Sequence, residues 1–485
     1  MIKRFSQDRD IRILTGLFTL SRVIFYTAGI RMNLDLFVGN GTAQLPDLLF
    51  LKEKLAETLY YMHGQPPLYN LYCGLLLKFF SNHLTLVVHS HFLFLGWLQA
   101  LVLFKILQKL SIQRRIIWAI LVLHILLPSN ILYENWLFYT YPVVTFLLFS
   151  LYLLLRFAEN GNLLRGLLFF SCLATVAMTR SMFHLVWLVA ALILLIFLKN
   201  KIKDFKVPTR KLVLSFVLPF SLVFAWYLKN YLLFGCFTAS SWMGMNMSRM
   251  LRLDSTTEKT YPLLACYSFQ SLDVYRGVMT WDSTVYPDVA VLHQPIKKSN
   301  SASNFFNVGY ISVSKKMQAE ALDFIKKHPF TYLREVFEAS TIVYLQPASL
   351  YAGIFTPDNY NTIKNYVTFF DLGTTYFIPT YNKSVGGDLR EYKKFQILRI
   401  VPVSLVYLFV FVLMVKNWRN YRNLSANAQL AIAFILFNFL YVFVVGNLLE
   451  YGENMRFRYQ TTPLGFILIG ILLNSVSLKK RETQK

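Results

Sequence analysis

Apolar runs of about 17–24 residues recur along this chain, and a helix needs roughly 20 to cross the hydrocarbon core of a bilayer. No soluble fold explains so many runs of that length. Of the 485 residues, 55% are hydrophobic and 15% charged, and the mean hydropathy is +0.44. A water-soluble domain of this size carries about 25% charged residues. The expectation is an all-α, polytopic membrane protein.

The formal net charge is +24. Nucleic acid is excluded as the partner by the way the charge is spread. Lys and Arg fall in short clusters between apolar runs, which is the pattern that sets membrane orientation. The clusters are Lys3 to Arg12, Lys105 to Arg115, Arg156 with Arg165, Lys199 to Lys211, Lys416 to Arg422, and Lys479 to Lys485. All become cytoplasmic if the spans are 11–30, 84–106, 116–132, 137–155, 164–179, 182–198, 212–231, 397–415, 427–446 and 460–477. That is about ten spans, with both termini cytoplasmic. Counting 66–80 as a further span would flip every later cluster. That run is also short and opens with two prolines, so it reads as a re-entrant or interfacial helix. No cleavable signal peptide is expected, because the first apolar run is needed as a span.

Three regions follow: an N-terminal bundle over 1–231 with a first external loop at 31–65, an insert over 232–396, and a C-terminal group of helices over 397–485. The insert is expected outside the cell membrane as one mixed domain. Within it, Met317, Ala321 and Ile325 recur at helical spacing over 314–328. Residues 332–344 also read as a helix, and Glu335 and Glu338 disqualify it as a lipid-facing span. Cys73 and Cys172 lie in apolar runs. Cys236 and Cys266 share the insert, where an oxidising compartment would permit a disulfide.

The acids of the first loop stand out. Asp35, Asp47, Glu53 and Glu57 lie just past the first run, and carboxylates beside a membrane are costly and usually functional. The loop closes on HGQPPLYNLY at 63–72. Farther along come LYENWLFYTYP at 132–142, TRSMFHLVW at 179–187, WYLKNYLLFG at 226–235, SSWMGMN at 240–246 and YGENMRFRYQTTP at 451–463. In this order the motifs resemble the GT-C superfamily of membrane glycosyltransferases. The nearest branch is the bacterial one related to protein O-mannosyltransferases and the lipid A aminoarabinose transferase. The likeness covers most of the membrane part and little of the insert.

That resemblance implies an inverting sugar transfer at the outer membrane face. The donor would be a polyprenyl-phosphate sugar and the acceptor a hydroxyl on a lipid, glycan or protein. Asp35 matches the position of the general base, with Asp47 second. Glu53 and Glu57 alternate with lysines and read as a solvated face. Arg456 and Arg458 break the positive-inside pattern; a guanidinium fork suits phosphate oxygens, while Glu450 and Glu453 nearby could instead pair with them. Lys229 and Arg180 are further cations for the donor phosphate. His63, Gln65, Tyr69, Glu134, Asn135, Trp242 and Glu453 are the pocket candidates. For His63 the alternative is a capping role at a rigid turn, and for Glu134 a strut paired with Arg180. The resemblance requires no cofactor; no metal-ligand spacing is diagnostic, and the external acids leave room for a divalent cation. Two rivals stand beside this reading. One is a polysaccharide polymerase or ligase using diphosphate-linked glycans, with catalytic Arg or His in the long loop. The other is a transporter, which would show two similar halves.

Overall fold

The computed structural model describes residues 2–34, 37, 43–251, 253–266, 268–351, 357–372 and 393–482. The protein is all-helical: among the described residues there are two isolated bridge pairings, Asn33 with Trp136 and Ile296 with Ser303, and no strand. The described part of the insert is therefore helical and not mixed, a correction to the sequence reading. Its turns are closed by side chains instead of a sheet. Asp254 forms a capping box, and Asn304 and Asn307 donate to the carbonyls of Val291, Gln294 and His293.

In chain order, α1 is Ile2–Thr27, α2 Leu48–Glu53, α3 Leu55–Tyr61, α4 Pro67–Phe80, α5 Leu84–Lys109, α6 Arg114–Leu126, α7 Pro128–Glu134, α8 Thr140–Asn160, α9 Leu163–Thr179, α10 Leu185–Lys199 and α11 Thr209–Phe234. The insert contributes α12 (Met243–Ser248), α13 (Gly309–Lys327), α14 (Pro329–Glu338) and α15 (Pro357–Phe370), with shorter helical turns between. The chain closes with α16 (Lys393–Asn417), α17 (Ala426–Leu449), α18 (Asn454–Tyr459) and α19 (Thr462–Glu482).

Local chemistry sets these boundaries. Pro67 and Pro128 open helices in the first turn, where a missing N–H costs nothing. Gly161 ends α8 at φ +57°, a left-handed position that suits glycine. Asn162 then caps α9 by accepting from the Arg165 N–H.

The apolar runs are helical, with 116–132 broken into α6 and α7, but the helices differ in reach. Five stretches are long and apolar enough to cross a membrane: Pro67–Lys109, Thr140–Asn160, Thr209–Phe234, Leu398–Asn417 and Ala426–Leu449. The pair α6 and α7 makes a sixth if its 50° bend is counted as one broken span. Leu163–Thr179, Leu185–Lys199 and Thr462–Val476 are apolar but shorter. This is a multi-pass membrane protein. Its periphery agrees: Val186, Ile193, Leu232, Phe411 and Leu440 are all exposed, which water would penalise and lipid does not.

The largest core joins α5, α6, α8, α9, α10, α17 and α19. A second core is aromatic and gathers Tyr69, Phe92, Tyr133, the run Trp136 to Tyr139, Tyr141 and Tyr459. The insert has its own core around Trp242, Tyr275, Phe306, Tyr310 and Met317. In α13, Met317 and Ala321 are buried and Ile325 is partly so, as their spacing requires. All four cysteines are free, so the Cys236–Cys266 disulfide does not form. Their thiols donate instead to the carbonyls of Phe234 and Pro262.

Candidate functional site

Four segments meet at the end of the bundle that carries the insert. They are the turn before α8 (Phe138 and Tyr139), the residue that caps α9 (Arg180), Tyr351, and α18 with Glu453 at its N-cap. The short α18 is held by Asn454, whose amide donates to Gly446 O at 3.1 Å, Asn447 Oδ1 at 2.8 Å and Glu450 O at 2.9 Å.

Arg456 is 2% exposed. Its guanidinium carbon lies 4.8 Å from the Phe138 ring, 5.2 Å from Tyr351 and 5.5 Å from Tyr139. Nη2 pairs with Glu453, while the buried Nε and Nη1 have no acceptor. Arg180 is 4% exposed and sits 4.3 Å from the Phe457 ring and 5.4 Å from Tyr139. Its Nη1 is likewise buried and unpartnered. Both guanidiniums therefore flank the Tyr139 ring. Glu453 also accepts from the Tyr351 hydroxyl at 3.0 Å. Beside it, Arg249 pairs with Glu450 at 2.6 Å.

Three arginines thus face two glutamates. Burial works to raise the Glu453 carboxyl, but Arg456, Arg249 and Arg180 together outweigh it and hold it below its usual range. Burial raises the Glu450 carboxyl, with Arg249 opposing. Burial, then repulsion from Arg456, lowers Arg180 to about 10, so it stays charged at neutral pH. Buried donors are nearly always paired. A buried cation whose N–H groups meet no protein acceptor can receive an anion, and aromatic walls suit an amphiphilic one.

The other predicted residues fall into distinct places. Asp35 lies outside the described residues. Its neighbour Asn33 pairs with the backbone of Asn135 (2.7 Å) and Leu137 (3.1 Å), which lays the first loop along the aromatic wall. Asn135 turns its own amide to Ile131 O. Tyr69 belongs to that wall, donating to Leu137 O at 3.1 Å with its ring 5.4 Å from Tyr139. Asp47 is buried as the N-cap of α2. One carboxylate oxygen accepts from the Leu49 N–H and the other from the Lys298 N–H, so it fastens the first loop to the insert.

Glu134 corrects an expectation. Its partner is Arg22, not Arg180: Nε and Nη2 of Arg22 donate to its two oxygens at 2.7 and 2.9 Å, and Tyr141 Oη adds a third bond at 2.8 Å. The remaining Nη1 of Arg22 donates to Ile125 O at 2.7 Å. Gly96 makes room for this cluster, since a Cβ there would collide with the Glu134 carboxylate.

Arg458 turns away from Arg456 and donates to Tyr344 O at 2.9 Å and Gln346 O at 2.7 Å. Lys229, His63 and Trp242 form a separate group under the HGQPP turn. Lys229 Nζ donates to Met62 O at 2.6 Å and sits 3.6 Å over the Trp226 ring. His63 Nδ1 meets Ser241 Oγ at 2.7 Å and Nε2 meets Phe306 O at 2.9 Å. A carbonyl accepts only, so Nε2 carries the proton. Burial lowers this imidazole to about 3 and it is neutral. The Trp242 indole lies against Gly64, where any Cβ would strike it, and donates to Phe305 O at 3.2 Å. Gln65 is half-buried in the same turn. Among the described residues, no group of three or more His, Cys, Asp or Glu side chains is placed to hold a metal.

Sequence reasoning missed Phe138, Tyr139, Arg249 and Tyr351 as site residues. It also missed Arg22, although a lone arginine within an apolar run asks for a partner. The chain matches no known family, no curated protein and no solved structure.

Proposed function

We propose that the protein is an integral-membrane glycosyltransferase of GT-C type, inverting, with a polyprenyl-phosphate sugar as donor and a hydroxyl as acceptor. One observation carries the reading: two buried guanidiniums, Arg180 and Arg456, share an aromatic chamber with N–H groups left open for an anion. In this reading the chain crosses the membrane about ten times, with both termini cytoplasmic and the insert outside. Asp35 takes the proton of the acceptor hydroxyl. The oxygen forms a bond to the anomeric carbon, the bond from that carbon to the phosphate oxygen breaks, and its electron pair leaves with the phosphate. Arg456 and Arg180 stabilise the charge that develops there. Asp47 accepts one backbone N–H at each oxygen, so it fastens the first loop to the insert and ranks behind Asp35 as the base. Arg458 is engaged by backbone and is not assigned to the donor.

Transfer from a panel of radiolabelled polyprenyl-phosphate sugars by the purified full-length protein tests this. Asp35→Asn and Arg456→Gln should each abolish most transfer, and full activity in Asp35→Asn removes the base. A second reading, transfer of diphosphate-linked glycans, draws on the third arginine, Arg249, at the rim. Transfer from diphosphate and not monophosphate donors would select it.

A further inference from the structure

The insert helix α14 is amphipathic in the wrong sense for water. Phe330, Leu333 and Phe337 fall on one face at i, i+3 and i+7, and are 85%, 56% and 66% exposed. The opposite face buries Glu335 at 2% exposure, and Ala339 follows it inward. A helix in water does the reverse, putting its carboxylates out and its phenylalanines in. The arrangement makes sense where the outward medium is apolar.

The position of α14 says which medium that is. Tyr332 Oη donates to Leu448 O, in the last turn of the candidate span α17, at 2.8 Å. Tyr344, just past α14, sets its ring 5.2 Å from Phe443 of the same span. Leu440, Phe443, Val444 and Leu448 of α17 are themselves exposed. The Phe330–Leu333–Phe337 face thus continues the lipid-facing surface of α17 at its end. Arg334 lies beside it, largely exposed and only loosely paired with Glu338 at 3.6 Å, free to reach headgroup phosphates while its stem stays apolar.

We infer that α14 lies in the plane of the bilayer interface, with Phe330, Leu333 and Phe337 sunk among the lipid chains. The occupant of this face is the lipid surface. The inference needs no sugar transfer and stands apart from the function proposed above.

Depth-resolved quenching tests it on the full-length protein in phospholipid vesicles. Phe330→Cys and Phe337→Cys are made in a Cys236→Ser, Cys266→Ser background and labelled with bimane. Lys259→Cys, on the exposed polar helix Ser255–Thr260 of the insert, is the control. Nitroxide-bearing lipids should quench positions 330 and 337 at a depth of about 5–10 Å below the headgroups, while aqueous iodide should quench only 259. Iodide reaching 337 as well as 259 would overturn the inference. So would a 337 probe that neither quencher reaches together with cross-linking between 337 thiols, because a second copy would then cover the face. Hydroxyl-radical oxidation of the unmodified protein checks the same point without substitution: strong labelling of Phe330 and Phe337 in vesicles overturns it.

Discussion

Arg22 and Arg456 are both buried guanidiniums facing a glutamate, and they end in opposite states. Around Arg22, Glu134 accepts two N–H groups and Ile125 O a third. Tyr141 then completes the carboxylate. Around Arg456, Nη2 meets Glu453, and Nε and Nη1 have no acceptor. Arg180 across the Tyr139 ring adds another open donor. A saturated pair ties helices and has nothing left to offer a ligand. An unsaturated one still has donors to offer, and that difference is what the proposed anion site rests on.

The difference is tested most severely at Glu134. Glu134→Ala strands the Arg22 charge and should lower stability by about 3–5 kcal/mol, read as the unfolding midpoint in detergent. Replacing both partners, Arg22→Met with Glu134→Leu, should recover most of that loss, since an apolar pair of similar volume needs no charge balance. An unchanged midpoint in Glu134→Ala would end the strut reading. Next in size, Arg456→Gln should slow transfer by about 10²–10³-fold, the scale of losing one donor to a developing charge. Its unfolding midpoint should move far less than that of Glu134→Ala; equal losses would make Arg456 a strut too. Polyprenyl phosphate without sugar should then stabilise the wild type by about 2.7 kcal/mol at a hundredfold excess over its Kd. The Arg180→Gln, Arg456→Gln double variant should show no such gain. Smallest of all, Tyr351→Phe removes one bond to Glu453 and should cost about 1.5 kcal/mol, leaving the Glu134 pair untouched.

The helices were legible because burial in lipid is a property of each run alone. Helices α1, α5 to α11, α16, α17 and α19 cover the expected runs, though 116–132 is broken into α6 and α7, and α1 is not among the stretches long and apolar enough to cross a membrane. Pairing was not legible. Glu134 was recognisable as a buried acid, but its partner lies 112 positions earlier, and only packing brings them together. Arg456 and Arg458 look equivalent in the sequence. On a short helix, residues two apart point to different sides, so one enters the chamber and the other clasps Tyr344 and Gln346. Asp47 was legible as an acid near the membrane, but the Lys298 amide that donates to it comes from the insert, 251 positions on. The HGQPP turn was visible as a motif, but its supports, Ser241, Phe306 and Lys229, were not.

The Arg22–Glu134 pair also fixes a timetable for biosynthesis. The ribosome finishes Arg22 112 residues before it reaches Glu134, a delay on the order of ten seconds at common rates of translation. For that interval Arg22 lacks the carboxylate that accepts two of its N–H groups in the folded protein. Its final seat therefore becomes available only once the seventh helix has emerged, and the nascent chain must keep its first segment waiting until then.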